Sequence, residues 1–131
     1  MRAASALAAV RRICLALPEV TERPSHGSPA FFAGKRQFVH FWDDHHDDGE
    51  LCVWCAAPPG AQDMLVAADP ELDFVPPYVG FRGWLGVRLD RGRSWEEIAG
   101  VLENAYRTVA PPRLARQLAT PPGKSDLKSL R

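Results

Sequence analysis

The chain has 131 residues, of which 46% are hydrophobic and 24% are charged, a composition typical of one globular domain with one core. No apolar run approaches the roughly 20 residues that a membrane helix needs, so the sequence excludes a bilayer span. The formal net charge is zero, yet residues 1–73 carry 6 Lys/Arg against 11 Asp/Glu (net −5) and residues 74–131 carry 10 against 5 (net +5). The second half therefore offers a basic patch that would attract phosphate, unless the two halves neutralise each other across the fold.

The first predicted element is a helix from Ala3 to Leu17. Its apolar residues recur at intervals of three and four and form one stripe: Ala3, Leu7, Val10, Cys14 and Leu17. Pro18 ends the helix. Because Arg11 and Arg12 interrupt the apolar stretch, it fits a helix of a globular domain better than a signal peptide.

The three cysteines do not indicate a disulfide framework. Their odd number, without a secretory signal, favours a reducing compartment, so we expect a cytoplasmic protein. Cys52 and Cys55 match C-x-x-C, but on a predicted strand residues three apart point to opposite faces. Cys14 belongs to the apolar stripe of the first helix and is expected in the core.

An antiparallel meander is predicted after the first helix. Short aromatic and β-branched runs at 30–33, 36–42 and 50–55 are separated by turn residues. We predict that the last two runs pair as a hairpin, with His40 opposite Cys52 and Phe38 opposite Trp54.

Alternation along the strands predicts two faces of the sheet. The set expected to face the helices is Val39, Phe41, Leu51, Val53, Leu85, Val87 and Leu89. The set expected on the other face is Phe38, His40, Trp42, Cys52, Trp54, Trp84 and Arg88. A face with several tryptophans needs a cover, and three covers are open: the chain's own segment 73–81, a second copy of the chain, or a ligand such as unstacked bases.

The tip of the predicted hairpin is an unbroken polar run of Asp43, Asp44, His45, His46, Asp47 and Asp48. These are ligand types that zinc, nickel or copper accepts. Contiguous residues on a hairpin tip point in diverging directions, however, so a solvated tip is the simpler interpretation and metal binding stays open. No motif implies a cofactor, and we expect none.

The second half predicts a helix after Pro58-Pro59 that ends at Asp69-Pro70, and a strand over 84–90. A capping box that begins at Ser94 opens a helix that reaches Val109, and a short helix follows through Leu114 and Leu118. The whole pattern predicts one α+β domain over 1–118, an antiparallel sheet with packed helices, and a disordered tail over 119–131.

Several common catalytic and binding motifs do not occur in the sequence. The glycines at 80, 83 and 86 run into a strand, whereas phosphate-binding glycine loops open a helix. Serine-hydrolase, zinc-protease and EF-hand patterns do not occur. The motifs therefore do not support an enzyme, although a small substrate could bind if a pocket brought polar groups together around His26, Tyr78 and Arg82.

Three segments resemble a known family: LPEVTERPSHGSPAF (17–31), PPYVGFRGWLGVRLD (76–90) and SWEEIAGVLENAYRTVAPPRLA (94–115). In this order and spacing they resemble the YjbR-like (MmcQ-like) family, small bacterial proteins often labelled as DNA-binding. The resemblance implies an α+β fold with two antiparallel wings flanking helices, similar to a secretion-chaperone-like architecture. It also implies DNA binding, although the acidic tip 43–48 departs from a wing that contacts DNA.

We therefore predict a non-enzymatic cytoplasmic protein that binds the DNA backbone weakly through its second wing. The predicted phosphate contacts are Arg82, Arg88, Arg91 and Arg93, and the predicted stacking residues are Tyr78 and Trp84. The first alternative is a protein-interaction module that buries the aromatic sheet face in a homodimer. The second is an enzyme or small-ligand binder with a site near His26, Tyr78 and Arg82.

Overall fold

The structure is a computed structural model that describes residues 3–44 and 49–118. The predicted tail, 119–131, and the centre of the polar tip, 45–48, lie outside the described residues. The helices are α1 (Ala3–Leu15), α2 (Ala61–Ala68), α3 (Trp95–Val109) and α4 (Pro112–Ala115). The strands are β1 (Val20–Ser25), β2 (Ser28–Ala33), β3 (Arg36–Asp43), β4 (Leu51–Cys55), β5 (Asp73–Phe74) and β6 (Leu85–Arg88).

The six strands form one sheet in the order β1-β2-β3-β4-β6-β5, and every neighbouring pair is antiparallel. Helix α3 packs against β3 and α1. The predicted α+β class, an antiparallel sheet with packed helices, is confirmed. The double-wing description stays an expectation.

Two cross-strand rows define the two faces of the sheet, because residues directly opposite each other in neighbouring strands share a face. One row runs through Glu22, Phe31, Val39, Cys55 and Leu85. Glu22 accepts two hydrogen bonds from Arg11 of α1, at 2.9 and 2.7 Å, so this row lies on the side of the helices, the helix face. The next row lies on the opposite side, the outer face, and runs through Arg23, Ala30, His40, Trp54, Gly86 and Phe74.

The register predicted for the β3–β4 hairpin is wrong by two residues. His40 pairs with Trp54, and Trp42 pairs with Cys52. The ladder continues to Asp43, and the Asp44 N–H donates a hydrogen bond to the Glu50 carbonyl oxygen at 2.8 Å. The polar tip is therefore shorter than expected. Since a shift of two keeps each side chain on its face, His40 and Trp54 still share the outer face.

Phe38 does not lie on the outer face, where alternation placed it. Between β2 and β3 the pairing passes from Phe31–Val39 to Phe32–Gln37, which leaves Phe38 as the extra residue of a β-bulge. Its ring meets Tyr106 of α3 edge to face, with 5.6 Å between the centroids. The bulge thus turns Phe38 toward the helices.

Strand β1 was not predicted from the sequence. It is an edge strand that carries polar residues and Pro24, so it lacks the apolar alternation that marks a half-buried strand. A two-residue turn joins it to β2, with φ of 52° at His26 and 79° at Gly27. Positive φ at both positions is typical of the type I′ turn, whose twist matches that of a hairpin.

The segment 73–81, one of the three predicted covers, lies over part of the outer face. Phe74 pairs with Gly86, and a Cβ added at Gly86 would overlap the Phe74 ring. Gly86 is therefore the position that lets this ring lie on the sheet.

Helix α3 has the predicted start and end. The Ser94 Oγ accepts a hydrogen bond from the Glu97 N–H at 3.1 Å, which satisfies one of the unpaired amides of the first turn. The Tyr106 hydroxyl donates a hydrogen bond to the Pro18 carbonyl oxygen at 2.7 Å and ties α3 to the chain that follows α1.

All three cysteines are buried, free thiols. Cys52 pairs with Trp42 and Arg88, whereas Cys55 pairs with Val39 and Leu85, so the two lie on opposite faces as predicted. Burial raises the pKa of the Cys55 thiol to about 12.

None of the helices within the described ranges combines the length and the apolar character that crossing a membrane requires.

Candidate functional site

Arg93, one of the predicted phosphate contacts, forms a largely buried ion pair with Asp73. Its guanidinium donates hydrogen bonds of 2.9 and 2.8 Å to the Asp73 carboxylate. The Asp73 side chain is 1% exposed and that of Arg93 is 10% exposed. Asp73 pairs with Val87 across the ladder, which places it on the helix face. The hydrogen bonds to Asp73 raise the pKa of the Arg93 guanidinium.

Arg88 and Arg91 also meet carboxylates. The Arg88 Nε donates to a Glu50 carboxylate oxygen at 2.8 Å, and the guanidinium lies 4.7 Å from the Phe74 ring centroid. Arg91 lies 3.6 Å from Glu50 and 3.4 Å from Asp90. Their role as phosphate contacts stays a prediction, but carboxylates already compensate much of their charge.

These ion pairs join the two halves of the sequence. Arg88 and Arg93 come from the basic second half, and their partners Glu50 and Asp73 come from the acidic first half. Arg113 pairs in the same way with Glu19, at 2.9 Å. Around these residues the halves neutralise each other, which was one of the two alternatives left open by the sequence.

A groove of about 910 Å³ lies on the outer face of the sheet. Its floor consists of the buried side chains His40, Trp42, Trp54 and Trp84. Its rim consists of the exposed side chains His26, Arg36, Tyr78 and Arg82. The β1–β2 turn and the 78–84 segment, far apart in the sequence, thus form two sides of one concave surface.

The floor of the groove is a packed group of rings. The centroids of His40 and Trp42 are 4.1 Å apart, and those of Trp42 and Trp54 are 4.7 Å apart. His40 lies 2.9 Å from the Ser25 carbonyl oxygen through Nε2. A carbonyl can only accept, so the Nε2 of His40 carries the hydrogen. This bond ties the floor to the end of β1.

Tyr78 stands on the rim in an unusual backbone conformation. Its φ is 67°, and the Val79 N–H donates to the Pro77 carbonyl oxygen at 2.7 Å, which closes a γ-turn of the rare, strained kind. The side chain is 76% exposed. Strained residues of this kind cluster at binding sites, so the turn is consistent with a functional role for the ring.

Gln62 of α2 holds the base of this rim segment. Its Nε2 donates to the Gly80 carbonyl oxygen at 2.8 Å and to the Trp84 carbonyl oxygen at 2.6 Å. The two bonds lie on either side of Arg82, at the start of the 3-10 turn Gly80–Arg82 and just after it, so the segment that presents Arg82 is anchored to α2.

The described lining of the groove contains no Asp or Glu. Arg36 and Arg82, on the rim, make no ion pair with a carboxylate of the described chain. The Arg82 guanidinium lies 5.4 Å from the Trp84 ring centroid, a cation–π distance. Within the described residues, the groove therefore combines aromatic rings with positive charge that no carboxylate compensates, a combination suited to an anion with a planar ring.

The structure brings together some of the predicted site residues and separates the others. Tyr78, Arg82 and Trp84 line the groove together with His26, the residue of the small-ligand alternative. Arg88, Arg91 and Arg93 do not line it. The sequence placed His40 on the correct face but did not single out Arg36, because nothing local separates it from an ordinary turn residue.

The tryptophans of the outer face offer little area to a partner. Trp42, Trp54 and Trp84 are 4%, 6% and 6% exposed, whereas Tyr78 and Phe81 of the rim segment are 76% and 87% exposed. A second copy of the chain on this face would thus contact the rim segment rather than the tryptophans. The homodimer stays a prediction.

Only the two ends of the polar tip, up to Asp44 and from Gly49, lie within the described residues. Asp43 ends β3, and the Asp44 carboxylate accepts a hydrogen bond from the Gly49 N–H at 2.6 Å. Across residues 3–44 and 49–118, no three His, Cys, Asp or Glu side chains are grouped as a metal site would require. The metal hypothesis for His45 to Asp48 lies outside the described residues.

A sequence model of the YjbR family matches residues 15–108. The fold is similar to the crystal structure of the Deinococcus radiodurans protein DR2400, a DUF419-domain protein, with a TM-score of 0.65 and 20% sequence identity. The similarity covers 86% of this chain and 87% of that one. No curated protein matches the chain. At this identity the structural likeness concerns the fold alone.

Proposed function

Since the chain belongs to the YjbR family, we propose, from that premise and from its groove, that it is a non-enzymatic protein that binds single-stranded DNA weakly on the outer face of its sheet. The DNA would lie in the groove between the β1–β2 turn and the 78–84 segment. Arg82 and Arg36 would contact phosphates, and Tyr78 would stack on a base.

The observation that carries this proposal is the composition of the groove lining. Bases stack on aromatic side chains, and phosphates are attracted by arginines whose charge is not compensated. The groove offers both, and the described part of its lining has no carboxylate to repel phosphate. A duplex hides its base faces, so an exposed tyrosine ring favours a single strand.

The proposal places the phosphate contacts in the groove rather than in the turn after β6. Arg93 lies on the helix face with both Asp73 oxygens bound, and Arg88 is bound to Glu50. Breaking such pairs to reach phosphate would leave a carboxylate without its partner, which is unfavourable. Among the predicted residues, Arg82 and Tyr78 are therefore the best supported, and Trp84, which is 6% exposed, mainly supports Arg82.

Fluorescence anisotropy with a labelled dT12 strand and a labelled 12-base-pair duplex at low salt tests the proposal. We expect a Kd of about 1–100 μM for the single strand, within the usual range of non-specific binding, and weaker binding of the duplex. Arg82→Ala and Tyr78→Ala should weaken binding. Arg12→Ala, which removes an exposed arginine of α1, is the matched control and should not.

The variant Arg91→Ala distinguishes DNA binding in the groove from DNA binding at the turn after β6. Binding that Arg91→Ala weakens and Arg82→Ala leaves unchanged would move the site to the turn. Absence of binding of either DNA at about 100 μM protein would refute the proposal.

A small-ligand binder is the second candidate function, because His26, Tyr78 and Arg82 do converge on one groove. Its volume of about 910 Å³ is within the roughly 300–1,000 Å³ of small-molecule sites. Competition with a mononucleotide separates the two candidates. A mononucleotide that displaces dT12 at a concentration equal to the Kd of the strand favours the small-ligand site.

A further inference from the structure

We infer that a single strand bound in the groove continues across the sheet to the edge strand β1, where Arg23, stacked on Phe32, contacts a further phosphate. The inference rests on the proposed function, because the same strand occupies both places. It adds a second contact region and makes the ligand a polymer of several nucleotides rather than one nucleotide.

The register places Arg23 on the same face as the groove. Arg23 pairs with Ala30, Ala30 pairs with His40, and His40 belongs to the floor. Ala30 is the only residue of this row between the arginine and the groove, and its methyl group is small and buried. The surface between Arg23 and the groove is therefore not blocked by a large side chain of this row.

The Phe32 ring orients the Arg23 guanidinium. It lies 3.9 Å from the Phe32 ring centroid, a close cation–π contact, and the side chain makes no ion pair with any carboxylate in the described ranges. Stacking orients the planar group while its N–H donors stay available, as phosphate binding requires. Glu22, the residue before Arg23, points to the helix face, where Arg11 binds it.

Charge limits the path at one end of the sheet. The β1–β2 turn lies at the same end as the acidic tip, because β2 and β3 are antiparallel and Ala30 pairs with His40, three residues before Asp43. A phosphate chain is repelled from the acidic tip and attracted toward Arg36 at the start of β3, the opposite end. We therefore expect the strand to cross at the row of Arg23 and His40 or closer to Arg36.

The distance sets the expected length of the strand. From β1 to β4 the row crosses three strand spacings, roughly 14 Å. A stacked strand advances about 3.4 Å per nucleotide, so about four nucleotides cover this distance, which includes the groove floor, and one or two more would reach Arg82 on the far rim. We expect the affinity to rise with length and to level off at about six nucleotides.

Anisotropy titrations with dT2, dT4, dT6, dT8 and dT12, and with the matching uridine RNA series, test the inference. For wild type we expect the rise and plateau described above. Arg23→Ala should weaken binding of dT6 and longer strands roughly threefold to fivefold, the size of an exposed ion pair, and leave dT2 unchanged. It should also lower the slope of log K against log salt by about 0.7, as loss of one phosphate contact does for single strands.

Two further variants make the result specific. Arg23→Lys keeps the charge and loses the planar stack, so its affinity for dT6 should lie between those of wild type and Arg23→Ala. Arg12→Ala removes an exposed charge from α1 and should match wild type at every length. Circular dichroism verifies that Arg23→Ala, a change at an exposed edge position, keeps the fold.

The possible outcomes separate the two proposals. If wild type binds but levels off at two nucleotides, or Arg23→Ala binds every length like wild type, the extension to β1 is wrong and the groove remains. If wild type binds no strand of either series, the proposed function fails and the extension fails with it. Equal results with DNA and RNA support a site that contacts bases and phosphates without reading the sugar.

Discussion

The guanidinium of Arg93 and the carboxylate of Asp73 form a two-bond pair, at 2.9 and 2.8 Å, on the helix face of the sheet. The pair joins β5 to the turn after β6. It ties the edge of the sheet to that turn, and both oxygens of the Asp73 carboxylate accept from the Arg93 guanidinium. We therefore expect its removal to change stability rather than binding.

Asp73→Asn should lower the free energy of unfolding by about 3–5 kcal/mol, because it leaves a largely buried guanidinium without its anion. Urea unfolding at pH 7 measures the change. The double variant Asp73→Leu with Arg93→Met removes both charges and should recover most of the loss. A change below about 1 kcal/mol in Asp73→Asn would show that the pair is solvated and that Arg93 is open to other partners.

Gly86→Ala should lower the free energy of unfolding by about 1–3 kcal/mol, because the added methyl group would overlap the Phe74 ring and push β5 away from β6. The matched control is Gly100→Ala in α3, where an added Cβ meets nothing within 4 Å. That change should raise stability by up to about 1 kcal/mol through helix propensity. Equal effects of the two substitutions would contradict the close contact between Phe74 and Gly86.

Tyr78→Gly should separate binding from stability. Glycine adopts positive φ without strain, and this gain of about 1 kcal/mol roughly offsets its larger conformational entropy in the unfolded chain. The free energy of unfolding should thus change little. Loss of the ring should weaken binding of dT12 by about 1–3 kcal/mol, or roughly 5-fold to 150-fold in Kd. Unchanged binding would show that Tyr78 is not a stacking residue.

Alkaline pH should destabilise the protein through its buried thiols. Burial raises the pKa of Cys55 to about 12 and also raises the pKa of Cys14. Unfolded thiols ionise near pH 8.5, so the folded state holds these protons more tightly. The stabilisation is fully present below about pH 8.5 and is lost as the pH rises toward the folded pKa.

Urea unfolding of wild type and Cys55→Ala between pH 7 and 10 measures this effect. We expect the free energy of unfolding of wild type to fall above pH 8.5 and that of Cys55→Ala to fall less steeply. As a second readout, a thiol reagent at pH 8 should react with none of the three cysteines until the protein unfolds. Parallel pH profiles of the two proteins would contradict the raised pKa.

The sequence predicts the elements whose signals are local. The spacing of apolar residues and the cap at Ser94 give α3 its start and its end, and alternation assigns His40 and Trp54 to one face. The bulge at Phe38 and the edge strand β1 depend on contacts with neighbouring strands, so no local pattern marks them.

The same distinction between local sequence signals and contacts with distant residues applies to the candidate site. Tyr78, Arg82 and Trp84 are close in sequence, and a local motif indicates them together. The partners of the arginines are distant in sequence: Arg93 binds Asp73 and Arg113 binds Glu19. Because these partners are distant in sequence, no local pattern shows which positive charges are compensated, and we expect that difference to decide which arginines meet phosphate.

The groove as the binding site is tested most directly by residue-resolved NMR of the ¹⁵N-labelled protein during titration with dT6. We expect the largest shift changes in the backbone amides of His26 and residues 78–84, and in the indole N–H of Trp84. Residues 88–93 should shift little. Shifts concentrated at 88–93 with the groove unchanged, or no shifts at all at millimolar dT6, would contradict the groove as a single-strand binding site.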